Sequence, residues 1–393
     1  MSKSGFITAL TAIVLAFVHG ACLRADAPSL KDAYAKDFLI GTALDFRTPG
    51  EFNPAELAII KSQFNVITPE NSMKPASIHP REDTWNWTTA EALVQFCQEN
   101  HIQTIGHCLV WNQQTGNWFF AGENGQPVTR DVALARLKTH IETEVGHFKG
   151  KIKGWDVVNE AINDGGNAAT ALTENLRNSP WMQAIGPDYP LYAFKYAREA
   201  DPNADLHYND YNIETGPKHA SSLLLLKRLI AAGASITAVG IQGHWNLNSV
   251  PYDAVDKAID DYKALGLKVM ITELDITIPA PGTRGATQAA TRATTQATTT
   301  GARAARGRAG LAAAPASPDD LKRQADAYAR LFAIFQKHKD VITRVTFWGL
   351  NDARSWRAGQ NPLVFDRQNL PKPALFSIIA AAANPAILPA TRP

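Results

Sequence analysis

Cysteine is nearly absent: three in 393 residues, with no CxxC pair and no Cys/His cluster at metal-ligand spacing. This excludes a scaffold held together by disulfides or by structural zinc. Net charge is nearly absent as well. Thirty-nine Lys and Arg face 37 Asp and Glu, a formal +2, so nucleic acid is a poor first partner. No GxGxxG follows a strand-like stretch and no GxxxxGK[ST] occurs, so the phosphate-binding marks of an open, doubly wound sheet are missing. What is present is ordinary globular composition, 45% hydrophobic and 9% aromatic, with nine Trp. A Trp ring has a flat apolar face and one N–H, which suits sugar pockets as well as packed cores.

Two segments stand apart. Residues 1–25 read as a secretory signal, with Lys3 as the positive start and a 13-residue apolar run, Phe6–Val18, too short to span a bilayer comfortably. Small residues follow, and Cys22 after Gly20-Ala21 is a poor match to a lipid-anchoring site. The expected location is secreted or periplasmic. Residues 280–318 are mostly Ala, Thr, Gly and Arg, with five Arg and no acid. They read as a disordered basic insertion in a surface loop. A cationic tether to an acidic surface is the functional alternative. Cys97 falls in a helix-like stretch and Cys108 in a strand-like one. They either pair or stay as buried thiols.

The remainder alternates strand-like and helix-like stretches. Strands are expected at 37–45, 64–70, 102–111, 152–160, 205–212, 236–245, 268–276 and 343–352. Helices are expected at 54–64, with Asn53 as N-cap, and at 129–147, 189–200, 216–232, 251–265, 318–338 and 373–383. Eight βα units predict a closed (β/α)8 TIM barrel in a single catalytic domain, residues 28–393.

Most of these strands begin apolar and end polar or aromatic. Glu70-Asn71 end the second. His107 and Trp111 lie on the third, Asn159-Glu160 end the fourth, and Asn209 and Tyr211 lie on the fifth. Gln242 and His244 follow on the sixth, Glu273 and Asp275 on the seventh, and Trp348 on the eighth. Barrel enzymes keep their sites at these strand ends. Glu160 and Glu273 can face each other across the mouth, and paired carboxylates at a cleft are the working parts of glycoside hydrolysis. One must be protonated and one ionised, which different surroundings can arrange. His244, fixed by Asp275, can hold the charged one. Ring-edge hydroxyls of a sugar call for Asn, Gln, Lys and Glu, and its faces call for Trp.

The stretches TPENSMK (68–74), GHCLVW (106–111), IKGWDVVNEAI (152–162), YNDYNIE (208–214), VGIQGHW (239–245), ITELDI (271–276) and WGLNDARSW (348–356) resemble the motif set of glycoside hydrolase family 10, the barrel-fold endo-1,4-β-xylanases. The resemblance runs from about residue 30 to about 384, the insertion excepted. It implies Glu160 as acid/base, Glu273 as nucleophile, and His244 with Asp275 as the relay that orients the nucleophile. It implies Asn159, His107 and Gln242 around the sugar at the cleavage point, and Glu70, Asn71 and Lys74 on the glycone side. Trp111, Trp348 and Trp356 match the aromatic walls, Gln114 a contact near the cleavage point, and Tyr211 the leaving-group side. Asn112 and Pro75 depart from the family pattern, which usually has His and Trp there. The implied activity is retaining hydrolysis of xylan and xylo-oligosaccharides by a monomer, with no cofactor, no metal and no protein partner. Another β-1,4-glycan, or an inactive carbohydrate-binding barrel, are the alternatives.

Overall fold

The computed structural model describes residues 29–46, 50–122, 124–165, 175–279 and 315–383. The leader-like residues 1–25 lie outside this range, as do 280–314 of the Ala/Thr/Arg-rich segment.

Eight parallel strands close on themselves. They are β1 (Leu39–Leu44), β2 (Val66–Pro69), β3 (Gln103–Val110), β4 (Gly154–Asn159), β5 (Asp205–Asp210), β6 (Ala238–Ile241), β8 (Lys268–Thr277) and β9 (Ile342–Phe347). Each pairs with its neighbour in chain order, β6 pairs with β8, and β9 pairs back to β1, so the sheet has no free edge. A short β7 (His244–Asn246) lies beside the end of β8. Helices lie between the strands, which is the (β/α)8 barrel expected from the alternation.

The predicted elements recur with shifted ends. Asn53 caps its helix, Pro54–Gln63, through a capping box: its side chain accepts from the Glu56 N–H at 3.0 Å, and the Glu56 carboxylate accepts from the Asn53 N–H at 2.9 Å. Ser317 caps the helix Pro318–Lys337. The expected strand 236–245 is broken. It stops at Ile241, and Gly243, at φ 80°, turns the chain so that His244 starts β7. Thr88–Glu99 was expected only as the helix-like stretch around Cys97, without bounds, and Pro180–Ile185 was not expected. The first begins at Trp87 with no side-chain cap, so it carries no start signal.

Bulges re-aim side chains where the site lies. Register shifts occur at His107/Val110, Asp156/Val158 and Ile271/Leu274. At Gly106 the backbone passes so close to the Trp155 ring that an added Cβ would sit 2.0 Å from a ring carbon. Trp85 and Trp87 stack on each other at 4.7 Å and are covered on their other faces by His79 and His147, so they pack rather than offer a sugar platform. Trp155 and Trp181 are buried, as expected of core residues. Cys97 and Cys108 are buried free thiols, and burial pushes the Cys97 thiol up to about 12.

Candidate active site

The strand ends converge on two carboxylates. Glu160 directly follows β4 in the left-handed region, φ 55°, uncommon for a residue with a side chain. Its N–H donates to the Asn209 carbonyl at 2.9 Å. Glu273 lies on β8, and its N–H donates to the Gln242 carbonyl at 2.8 Å. The Gln242 N–H donates in turn to the Asp210 carbonyl at 3.1 Å. The site residues thus stay tied to the sheet ladder, which holds them more firmly than free loops would.

The two carboxylates have opposite surroundings. Glu273 is 5% exposed. One oxygen accepts from Asn209 Nδ2 at 2.8 Å, and the other lies 3.1 Å from His244 Nε2. His244 Nδ1 lies 3.0 Å from Asp275, which is fully buried. Burial opposes charge on His244, but the Asp275 carboxylate and the hydrogen bonds to Asp275 and Glu273 outweigh it and hold the imidazole up to about 9. At neutral pH it is an imidazolium that donates to both acids. Asp275 also accepts from Trp356 Nε1 at 2.9 Å and pairs with Arg357 at 3.2 Å. Burial raises its carboxyl, yet the charges of His244 and Arg357 win and hold it below the usual carboxylate range. His244 and Arg357 together balance Asp275 and Glu273.

Among the described residues no cation bonds to the Glu160 carboxylate. This side chain accepts from Trp111 Nε1 at 2.9 Å and from Gln242 Nε2 at 3.1 Å, both neutral donors. Burial and the nearby Asp210 carboxylate raise its carboxyl above the usual range, against the pull of those two hydrogen bonds, and Glu273 adds to the rise. One acid is therefore held charged by a cation, and the other is pushed toward its neutral form. That is the division of labour required of an acid and a nucleophile.

The other predicted residues surround this pair. The Asn159 carboxamide lies 2.9 Å from Asn209 Nδ2 and 3.4 Å from Gln242 Nε2. His107 Nδ1 lies 2.9 Å from buried Asp156, and the His107 ring meets the edge of Trp348 at 5.2 Å. Lys74 Nζ bonds to Asn71 at 3.2 Å and lies over the Trp111 ring at 4.8 Å. Asn71 also donates to Asp45 at 3.1 Å. Glu70 directly follows β2, its N–H donating to the Leu44 carbonyl at 2.9 Å. Trp348 is mostly buried, whereas Trp356 is 57% exposed, with the Arg357 guanidinium over its ring at 4.5 Å. Gln114 is exposed at φ 44°. Tyr211 donates to Asp164 at 2.7 Å. Buried Asn112 Oδ1, at one of the two departures from the family pattern, has no hydrogen-bond partner among the described residues.

Several contributors escaped the sequence reading. Arg177 donates to the Glu160 carbonyl at 3.2 Å and to the Tyr211 hydroxyl at 3.0 Å. Lys218 pairs with Asp210 at 2.8 Å and with Asp164 at 3.0 Å, and sits over the Tyr211 ring. Nothing around Arg177 or Lys218 in sequence marks them. Asp156 and Arg357 had a signal: one lies inside WDVVNE and the other directly follows Trp356. Among the described residues no group of three or more His, Cys, Asp or Glu is placed to hold a metal ion.

Residues 29–381 match the family model of glycosyl hydrolase family 10. The chain belongs to this family. An endo-1,4-β-xylanase A of Xylanibacter ruminicola is 36% identical over 367 residues, 91% of this chain and 95% of that protein. An endo-1,4-β-xylanase/feruloyl esterase from the same species is 38% identical over 349 residues; the family 10 chain spans only 45% of its length. Among solved structures, a mutant of an intracellular xylanase from Thermoanaerobacterium saccharolyticum, in complex with xylotetraose, superposes with a TM-score of 0.76 at 34% identity. It covers 90% of this chain and 98% of its own.

Proposed function

We propose that the protein is a retaining endo-1,4-β-xylanase. The observation that carries this reading is the contrast just described: the Glu273 carboxylate beside an imidazolium and the Glu160 carboxylate bonded by two neutral donors. The relatives' xylanase names and the xylotetraose complex support the choice of substrate. In the first step Glu160 protonates the departing glycosidic oxygen while Glu273 attacks the anomeric carbon, giving a glycosyl-enzyme. In the second step Glu160, now ionised, takes a proton from water, which attacks the same carbon and releases Glu273. Two inversions retain the β configuration. Asn159, Gln242 and His107 bond hydroxyls of the sugar at the cleavage point. Glu70, Asn71 and Lys74 bond the next sugar on the glycone side. Trp111, Trp348 and Trp356 supply its walls, Gln114 adds a polar contact, and Tyr211 receives the leaving group.

Proton NMR of unbranched xylo-oligosaccharide digestion, with cello-oligosaccharides in a parallel tube, tests this reading. Early appearance of β-anomer, with slow cleavage of the cello series, is the expected result. Early α-anomer overturns the nucleophile assignment. Faster cleavage of the cello series moves the substrate to glucans, and no cleavage of either defeats the enzymatic reading.

Export is a separate proposal, resting on residues 1–25 alone. The intact mass of protein collected outside the cytoplasm is expected to lack that segment; a full-length mass there, or protein confined to the cytoplasm, refutes it.

A further inference from the structure

Glu160 sits at φ 55°, a backbone region that a residue with a side chain keeps only where its surroundings impose it. On the amide side the restraint is the bond from the Glu160 N–H to the Asn209 carbonyl. On the carbonyl side it is one residue, Arg177. Arg177 Nε donates to the Glu160 carbonyl at 3.2 Å, the Arg177 backbone N–H donates to the Ala161 carbonyl at 2.7 Å, and Arg177 Nη2 donates to the Ile162 carbonyl at 3.2 Å. The successive carbonyls of residues 160, 161 and 162 thus all end on Arg177. An antiparallel bridge of Ile162 with Leu176, and the Asn163 N–H on the Asn175 carbonyl at 2.8 Å, hold the two segments side by side.

The guanidinium is itself anchored from outside. Its Nη2 donates to the Tyr211 hydroxyl at 3.0 Å, and both Nη atoms lie 3.4 Å from the Asp164 carboxylate. Asp164 is fixed in turn by Tyr211 at 2.7 Å and Lys218 at 3.0 Å. A planar fork can tie two carbonyls and a hydroxyl in one geometry, which an ammonium cannot do. The Arg177 side chain is 20% exposed, so it is not a core residue whose loss empties the barrel.

We propose that Arg177 is a positioning residue of the reaction, a clamp that keeps the Glu160 backbone in its left-handed conformation and so aims the carboxyl at the departing oxygen. The proposal rests on Glu160 being the acid/base. Without the clamp, the bonds of the Glu160 carboxylate to Trp111 and Gln242 would have to orient the acid by themselves.

The test is kcat/KM of wild type, Arg177→Ala and Arg177→Lys on phenyl and dinitrophenyl β-xylobioside. These substrates share a glycone and carry no leaving sugar, so they differ in how far the departing oxygen needs a proton. The alanine variant is expected to lose about tenfold or more on the phenyl substrate, since misplacing a catalytic group by roughly 1 Å can cost about 10²-fold. On the dinitrophenyl substrate it should keep nearly the wild-type value. Lysine keeps the charge but not the fork and should recover little of the loss; full recovery would assign the effect to charge and overturn the clamp. Equal losses on both substrates, or no loss on either, also overturn the proposal, whatever happens to Tm. If the alanine variant does not fold, Arg177→Gln takes its place with the same expected split, and failure of both to fold counts against the proposal. A wrong functional reading would look different: Glu160→Ala itself would slow both substrates alike, and the proposal would fall with that reading.

Discussion

Glu273→Ala is expected to remove essentially all turnover, a loss of about 10⁴-fold or more, as when other covalent catalysts lose their nucleophile. The side chain forms the bond to carbon, and nothing beside it can take over. Its neighbours are an amide, Asn209, and an imidazolium, His244, which are donors and not nucleophiles. Truncation leaves a small space next to an uncompensated cation, which is a good seat for a small anion. Azide should therefore restore part of the rate, with an aryl xyloside as substrate and the α-glycosyl azide as product. One displacement replaces two, so the configuration inverts. Activity near wild type in the alanine variant, or a β-azide product, would remove Glu273 from this role.

Glu160→Ala should instead divide substrates by leaving group. Xylan and unactivated xylosides need their departing oxygen protonated, and they should slow by about 10²- to 10⁴-fold, the usual reach of general acid catalysis. Dinitrophenyl xylosides leave unaided, so their first step should hardly change, and azide should speed release of the glycosyl-enzyme. The pH profile gives an independent sign. Burial and Asp210 raise the Glu160 carboxyl, so its proton persists above the ordinary glutamate range and is lost as pH rises through the raised value. The wild-type profile on xylan should fall along that basic limb, and the alanine variant should lack it. Equal losses on both substrate classes, or an unchanged basic limb, would take the acid role from Glu160.

Much of this was legible in the chain itself. Most strands carry their own signature, an apolar start and a polar or aromatic end, and the ends of β4 and β8 hold the two acids. Asn53 and Pro54 announce their helix because capping is a local interaction. Interactions that depend on closure were not legible. In ITRVTFW nothing marks Arg344, yet the closed barrel buries it to 2% exposure against Thr68 of β2. Arg177 and Lys218 act through atoms far away in sequence, and their own neighbourhoods are unremarkable. Gly243 could be read as one more strand residue until the backbone turn at φ 80° separated His244 from β6. The roles of individual sugar contacts rest on motif likeness, because hydroxyl recognition depends on angles that a sequence does not carry.

Asp275 draws two of its partners, Trp356 and Arg357, from the loop after β9. That loop follows β9, the strand that closes the barrel against β1. The charge balance around the nucleophile is therefore complete only when the end of the fold is in place. Any sub-global opening of that loop would bring water to Asp275 and release Arg357 from it. His244 would then weaken as a donor to Glu273 while the rest of the barrel stood intact. Opening of that loop alone would thus strip the nucleophile of its charge support without unfolding the barrel.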